Sequence, residues 1–105
     1  MQIEKLVKEI EEISATYAKN FKIKRDDNWY VLKLQEELGE LIQSYLMLIG
    51  QGRAKGKTNK EIRADFQKEI ADVFCHILLL AKHYDVDLEQ EVNNKWLVYK
   101  KKQMA

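Results

Sequence analysis

The residues with the clearest chemical potential are two pairs of carboxylates, each pair three positions apart. Glu37 and Glu40 form one pair, and Glu69 and Asp72 form the other. On an α-helix, positions three apart lie about 60° from each other, so each pair would share a face. All-oxygen donor sets suit hard divalent cations, above all Mg²⁺, for which Mn²⁺ can substitute. The pattern predicts a cation site if both segments are helical and adjacent.

The position of the intervening loop strengthens this prediction, because either pair alone is common on solvated helices. The midpoint between the pairs falls at Ala54 and Lys55, in the middle of the glycine-containing segment 50–57. If this segment closes an antiparallel hairpin, both pairs lie at the same height, roughly 15 Å up the helices. Four ionised carboxylates at one partly buried level repel each other and resist desolvation, which a cation would relieve.

The elements that must position these pairs follow from the 3.6-residue period of the apolar residues. Three segments carry this period through Ile3, Leu6, Val7, Ile10, Ile13, Tyr17 and Phe21; through Val31, Leu34, Leu38, Leu41, Tyr45 and Leu48; and through Ile62, Phe66, Ile70, Val73, Ile77, Leu80 and Tyr84. A fourth segment runs from about Leu88 to Lys102, with Val92, Trp96 and Tyr99 on one side. The chain has no proline and only four glycines, which favours long helices. We predict an all-α, four-helix bundle-like fold in a single domain, residues 1–105.

Polar residues at the predicted helix starts support these boundaries. Asp26, Asp27 and Asn28 are alternative N-caps for the second helix. Capping boxes are predicted for the third and fourth helices from two further pairs, Thr58 with Glu61 and Asp87 with Gln90.

Composition excludes several classes of partner. The formal net charge is +1, from 18 basic and 17 acidic side chains, which argues against a nucleic-acid polymer as the partner. The longest apolar run, 77–81, is too short to cross a bilayer, and no segment resembles a signal peptide. We therefore expect no membrane association and a cytoplasmic location. Cys75 is the only cysteine, so an intrachain disulfide is impossible.

The second and third helices carry more apolar residues than one small chain can cover. Beyond the periodic stripes these are Leu32, Ile42, Leu46, Met47, Ile49, Phe74, Leu78 and Leu79. Large apolar patches that stay exposed usually mark interfaces. We expect a homodimer or a homotetramer.

The acidic segments also carry a family resemblance. Leu34-Gln35-Glu36-Glu37-Leu38-Gly39-Glu40-Leu41 followed by Glu69-Ile70-Ala71-Asp72-Val73 resembles the EExxE…ExxD signature of the MazG-like nucleoside triphosphate pyrophosphohydrolases. The resemblance covers about residues 28–102. It implies a MazG-type bundle with an active site between helices two and three, to which a second subunit contributes. The implied reaction is metal-dependent cleavage of a (deoxy)nucleoside triphosphate into the monophosphate and pyrophosphate, in nucleotide-pool housekeeping.

The resemblance also implies roles for individual residues. Glu37, Glu40, Glu69 and Asp72 would ligate magnesium, with Glu36 as an additional ligand or as an outer neighbour that supports the ligands. Glu36 adjoins these ligands without facing the core, so it is the candidate to orient the attacking water or take its proton.

Substrate binding is implied for Lys95 and Lys102 on the fourth helix, which would steady the phosphates unless they are simply solvated. Tyr99 stands where the family often has asparagine, so the preferred base and sugar do not carry over. Trp29 could stack on a nucleobase, with core packing as the alternative.

Other interpretations stay open. One is the related phosphoribosyl-ATP pyrophosphohydrolase activity, and another is a non-catalytic helical dimerisation module that keeps the acidic pairs for structure or ion binding. The segment 51–58 approaches a phosphate-binding loop but lacks its first glycine and the preceding strand. His76, one turn past Asp72, is either an outer neighbour of the cation site or an ordinary packed histidine.

Overall fold

A computed structural model describes residues 2–104 as an all-α chain, and the ends of the predicted domain, Met1 and Ala105, lie outside the described residues. Helices α1 (Ile3–Asn20), α2 (Asp27–Leu48) and α3 (Asn59–His83) form the body. Then α4 (Leu88–Val92), a π-helical turn (Asn93–Leu97) and α5 (Val98–Met104) form a continuous segment, residues 88–104, called the arm below. Residues 2–104 contain no strand, so the predicted all-α class with four helical segments is confirmed.

Side-chain caps fix where the helices begin. The carboxylate of Asp26 accepts a hydrogen bond at 2.8 Å from the backbone N–H three residues on, which selects it among the candidate caps of α2. Thr58 and Glu61 form the predicted capping box of α3, with hydrogen bonds of 3.0 and 3.1 Å. Asp87 caps α4 by accepting at 3.0 Å from a backbone N–H. These caps satisfy N–H groups that have no partner within the helix.

Helices α1, α2 and α3 end in the same backbone motif. The residue after each C-cap has a positive φ, which is 55° at Lys22, 79° at Gly50 and 54° at Asp85. The next N–H then donates at 2.8 Å to a carbonyl in the last turn of the helix, as in a Schellman motif. Glycine adopts this left-handed conformation without steric cost, whereas lysine and aspartate do not.

Lys22→Gly is therefore expected to stabilise the protein by about 0.5–1 kcal/mol, through relief of the left-handed strain. Lys8→Gly, at an exposed position in the middle of α1, should destabilise it by about 1 kcal/mol, because glycine loosens a helix interior. Urea unfolding of both variants measures the free energy of unfolding. Changes of the same sign in the two variants would contradict this account of the helix end.

Helices α2 and α3 form an antiparallel hairpin, against which α1 packs through α3. Tyr30, early in α2, stacks on His83 at the end of α3, with ring centroids 4.1 Å apart. Tyr45, late in α2, approaches Phe66, early in α3, at 6.4 Å. The core of the single chain is small, and among large side chains of the described residues only Leu78 is fully buried.

Helix α2 turns a different face toward α3 than its apolar stripe predicts. The buried residues of α2 are Tyr30, Glu37 and Ser44, seven positions apart. Of the six stripe residues, Val31, Leu38 and Tyr45 are 52%, 39% and 46% exposed, whereas Leu34, Leu41 and Leu48 are half-buried. Of the stripe, Tyr45 approaches Phe66 of α3, whereas the Val31 and Leu38 edge faces away from α3, and Tyr30 stacks on His83.

The exposed stripe of α2 continues onto α3. At about 100° per residue, the exposed apolar positions of the two antiparallel helices fall on the same side of the hairpin. We call this surface the hairpin face, and it comprises Val31, Leu38, Ile42, Tyr45 and Ile49 of α2 with Ile70, Phe74 and Ile77 of α3. The same geometry places Glu40 and Asp72 on the other side of the hairpin.

The arm leaves the chain open in shape. Its three segments follow one another without a break and have no extensive contact with the three long helices. The radius of gyration is 17.0 Å, against about 13 Å for a compact domain of this length. In the described part of the chain, each helix is too short or too polar to span a membrane.

Candidate functional site

The predicted ligands converge at the α2–α3 interface. One carboxylate oxygen from each of Glu37, Glu69 and Asp72 lies within 4.8 Å of the others, and the same holds for Glu36, Glu37 and Glu40. Glu37 belongs to both groups and stands between them. The hairpin thus gathers the four carboxylates predicted as ligands, together with Glu36, into one cluster that we call the carboxylate centre.

The carboxylate centre is buried at one end and open at the other. The Glu37 residue is only 8% exposed and lies on the face of α2 that packs on α3. Glu69 is half-buried, and its Oε2 atom is inaccessible to water and lacks a hydrogen-bond partner among the residues described. Glu36, Glu40 and Asp72 are exposed at the rim. A ligand would therefore approach from the rim and meet Glu69 at the inner end.

The two inner carboxylates resist ionisation. Burial raises the pKa of Glu37 above its ordinary value, repulsion by Glu40 raises it further, and the nearby Lys33 opposes both. Burial also raises the pKa of Glu69, reinforced by Asp72 and Glu40. Each carboxylate thus lacks part of the countercharge that would stabilise its ionised form.

Lys33 and His76 are the close neighbours of the centre. The Lys33 Nζ atom lies 3.4 Å from Glu36 Oε1 and 3.7 Å from Glu37 Oε1. His76 Nε2 lies 3.9 Å from the same Glu37 oxygen. Burial lowers the pKa of His76 below its ordinary value and the charge of Lys33 lowers it further, whereas Asp72, Glu36 and Glu40 oppose this shift. Lys33 thus lies beside Glu36 and Glu37, at one side of a centre of five carboxylates.

The sequence interpretation overlooked Lys33, although its i,i+4 spacing from Glu37 was a usable signal. For His76 it left two roles open, and the structure places this residue beside the carboxylate centre.

A groove of about 380 Å³ runs from the carboxylate centre toward the 49–58 loop. Its size falls in the usual range for small-molecule sites. The lining residues are Glu40, Gln43, Ser44, Met47, Lys57, Ile62, Asp65 and Glu69. At the loop end, Lys57 Nζ pairs with Asp65 at 2.6 Å. The sequence interpretation missed Gln43, Ser44 and Asp65, because no spacing pattern separates them from other polar helix residues.

Trp29 lies on the other side of the carboxylate centre from the groove. It is half-buried in the first turn of α2, edge-on to Tyr30 with a centroid distance of 5.0 Å. Its ring is 6.2 Å from the His76 ring. The structure therefore packs Trp29 against a buried tyrosine while leaving part of it open to solvent near the centre.

The structure does not bring Lys95 or Lys102 to the carboxylate centre of the same chain. Both are exposed on the arm, and neither forms an ion pair with a carboxylate among the described side chains. Lys102 Nζ lies 5.6 Å from the ring centroid of Tyr99, which is itself exposed. Their predicted contact with substrate phosphates would need the arm of another subunit or a movement of the arm.

Gly39 adjoins Glu40 of the carboxylate centre, and the space beside it is open. A Cβ atom added there would meet nothing within 4 Å in the same chain, apart from its own helix. No other helix in the described part of the chain therefore approaches this glycine closely. The space is free for a ligand or a second subunit.

The donor set fits a hard divalent cation. All the donors are carboxylate oxygens, and the buried Oε2 atom of Glu69 has no partner in the described structure. Magnesium and manganese prefer such oxygen donors, and either ion would supply the countercharge that the inner carboxylates lack.

Glu37→Gln tests the electrostatic cost of this arrangement. In cation-free buffer at pH 7, the variant is expected to unfold at higher urea than the wild type, because it removes a buried charge. A carboxyl group whose pKa is raised in the folded state stabilises the protein below its unfolded pKa, and this contribution is lost as pH rises through the folded pKa. The advantage of the variant should therefore shrink as pH falls toward 4.5, the ordinary value.

Glu9→Gln, at an exposed position of α1, controls for the removal of a carboxylate outside the interface. A Glu37→Gln variant that is less stable than the wild type at pH 7 without cation would contradict the prediction.

The carboxylate centre, Lys33 and the groove are features of the chain's own residues. Comparison with models of protein families, with curated proteins and with solved structures finds no match for the chain. Its function is therefore inferred from the chemistry of these residues.

Proposed function

We propose that this protein hydrolyses a (deoxy)nucleoside triphosphate to the monophosphate and pyrophosphate, with Mg²⁺ or Mn²⁺ as cofactor. Glu37, Glu40, Glu69 and Asp72 would hold the cation. The observation that supports this most directly is the convergence of carboxylates from two helices around the unpartnered Glu69 oxygen. The MazG-like signature in the same residues supports the choice of a triphosphate as substrate.

Each residue of the carboxylate centre has a role in the proposed reaction that follows from its position. When bound, the cation supplies the positive charge that phosphoryl transfer requires. Glu36 is exposed beside the ligands and can take a proton from water at the open rim. Lys33, 3.4 Å from the Glu36 oxygen, positions this carboxylate. Hydrolysis then depends on holding water and phosphate in line.

Substrate binding draws on both sides of the carboxylate centre. The groove toward the loop has room for part of a nucleotide, and Lys57 stands at its far end. Trp29 offers a partly exposed ring on the opposite side. Lys95 and Lys102 would steady the phosphates only from an arm that reaches the rim at Glu40 and Asp72, on the side opposite the hairpin face. An arm docked on the hairpin face would leave both lysines out of substrate binding.

A homo-oligomer, at least a dimer, is the second part of the proposal. Every apolar side chain of the hairpin face is at least 39% exposed in the single chain. A soluble protein rarely leaves such a surface uncovered. A second copy of the chain would cover it and support a small core that is marginal alone.

Labelled water tests the reaction. Each nucleotide of a panel of standard and modified triphosphates is incubated with the protein and Mg²⁺, Mn²⁺ or EDTA in ¹⁸O-labelled water, and mass spectrometry locates the label. We expect label in the monophosphate, unlabelled pyrophosphate, and no turnover in EDTA. Label in pyrophosphate would mean attack on the beta phosphate, and orthophosphate release from a nucleoside diphosphate would reject the proposed reaction.

The same panel separates the alternatives. Phosphoribosyl-ATP is included, and turnover restricted to it would select the related pyrophosphohydrolase activity. The exposed hairpin face also suits a non-catalytic dimerisation module. That module predicts a stable oligomer and no pyrophosphate release from any compound.

A further inference from the structure

The arm has an unpartnered apolar side of its own. Val92, Trp96, Leu97 and Tyr99 are 46%, 71%, 48% and 53% exposed. The π-helical turn lies in the middle of this segment, and such turns often mark functional positions in helices. The arm therefore resembles the hairpin face in lacking a cover within its own chain.

The surface area of the chain indicates how much is left to be covered. The chain exposes 8635 Å², whereas a compact protein of this mass exposes roughly 6,200 Å². The surplus is about 2,400 Å² per chain, or roughly 4,800 Å² for two chains, and obligate homodimers bury about 2,000–5,000 Å² in total. The hairpin face has eight half-exposed apolar residues. Even if each were as large as an aromatic side chain, with about 200 Å² to bury, their exposed halves would total only about 800 Å². A partner must therefore cover more than the hairpin face.

The arm and the hairpin face match in length and character. The arm, residues 88–104, is about 25 Å long, and the stripe from Val31 to Ile49 is about 27 Å long, at 1.5 Å per residue. The apolar row on α2, with a shorter row from Ile70 to Ile77 of α3 beside it, offers a surface track that a single helix could cover. Docking of an amphipathic helix into such a track is a common recognition mode.

We propose that the arm of each chain packs along the hairpin face of a second copy, in a reciprocal exchange between two copies. Docking buries the apolar side of the arm and the hairpin face of the other copy at the same time. The area buried in this way would account for the surface that the single chain exposes beyond that of a compact protein. This inference rests on the proposed dimer but not on the proposed catalytic activity.

Disulfide crosslinking in the full-length protein tests the exchange. In a Cys75→Ser background, Ile42→Cys on the hairpin face and Leu97→Cys on the arm are made in separate proteins of different tag length. The two proteins are mixed, unfolded, refolded together and oxidised. We expect the heterodimer linked through positions 42 and 97 to exceed, several-fold, the product of a control mixture of Leu97→Cys with Glu9→Cys.

Three outcomes would overturn the proposal. A disulfide between two copies of the Ile42→Cys protein as the main product would show that the hairpin faces pack on each other. A monomeric loop in the Ile42→Cys/Leu97→Cys double variant, without crosslinked dimer, would show that the arm docks on its own chain. Equal yields in the test and control mixtures would show that the arm has no fixed position.

Fluorescence of Trp96 provides a second measurement that leaves the arm unmodified. In Trp29→Phe, Trp96 is the sole tryptophan, and its emission should shift to the blue as light scattering reports dimer formation on concentration. Solvent-like emission in a proven dimer would contradict the exchange. A blue shift that requires anionic lipid vesicles would assign the arm to a membrane surface instead.

Discussion

Glu69→Gln is expected to lower the rate of pyrophosphate release by about 100-fold or more at limiting magnesium. Glu69 carries the buried oxygen that has no partner in the described structure. Glutamine keeps the size of the side chain but removes the charge. Removing a residue that only hydrogen-bonds a metal ligand lowers metal affinity or activity by about 10–100-fold. Removing a ligand itself should therefore cost about 100-fold or more. Steady-state rates across a magnesium titration measure the effect.

Glu9→Gln is the matched control, because it removes an exposed carboxylate on α1. Circular dichroism checks that both variants retain their helices. Raising the magnesium concentration should recover part of the Glu69→Gln activity if the variant binds the cation more weakly. Full activity of Glu69→Gln at limiting magnesium would remove Glu69 from the ligand set.

Phe74→Asp is expected to dissociate the oligomer. Phe74 is 43% exposed in the single chain and lies in the middle of the α3 row of the hairpin face. An interface hot spot costs at least about 2 kcal/mol when lost, and a symmetric dimer counts it twice. The dissociation constant should therefore rise by about 1,000-fold. Light scattering and sedimentation across a range of protein concentrations measure the mass.

The control for this prediction is Ala64→Asp, which adds the same charge at an exposed position of α3 outside the hairpin face. If Phe74→Asp unfolds, folding and association are coupled, and the Tm of the wild type should then rise with protein concentration. A wild-type protein that stays monomeric at micromolar concentration would refute the oligomer, as would a Phe74→Asp variant of unchanged mass.

The convergence of the carboxylates could be predicted because it depends on local geometry. Spacing of three positions puts Glu37 beside Glu40 and Glu69 beside Asp72 on any α-helix. The loop midpoint then sets both pairs at one height in an antiparallel hairpin. The caps at Asp26 and Thr58 follow equally local rules.

The side of α2 that packs on α3 could not be predicted, because an apolar stripe does not indicate which surface covers it. Val31 and Leu38 have the same pattern whether their partner belongs to the same chain or to another. The position of Lys95 depends on the path of the arm, which no local pattern determines. Contacts between residues far apart in the sequence therefore determine which surface covers the α2 stripe and where the arm lies, and the apolar periodicity does not.

The buried Glu37 and the unpartnered Glu69 oxygen also bear on how long the protein would survive in a cell. Both lie where α2 meets α3, so the charge repulsion weakens the contact that holds the hairpin together. Bound cation would add to the folding free energy in proportion to the logarithm of its concentration. Proteolysis that follows local opening depends on the population of the open form. Under the proposed function, cation depletion would therefore shorten the lifetime of the protein as well as stop its reaction.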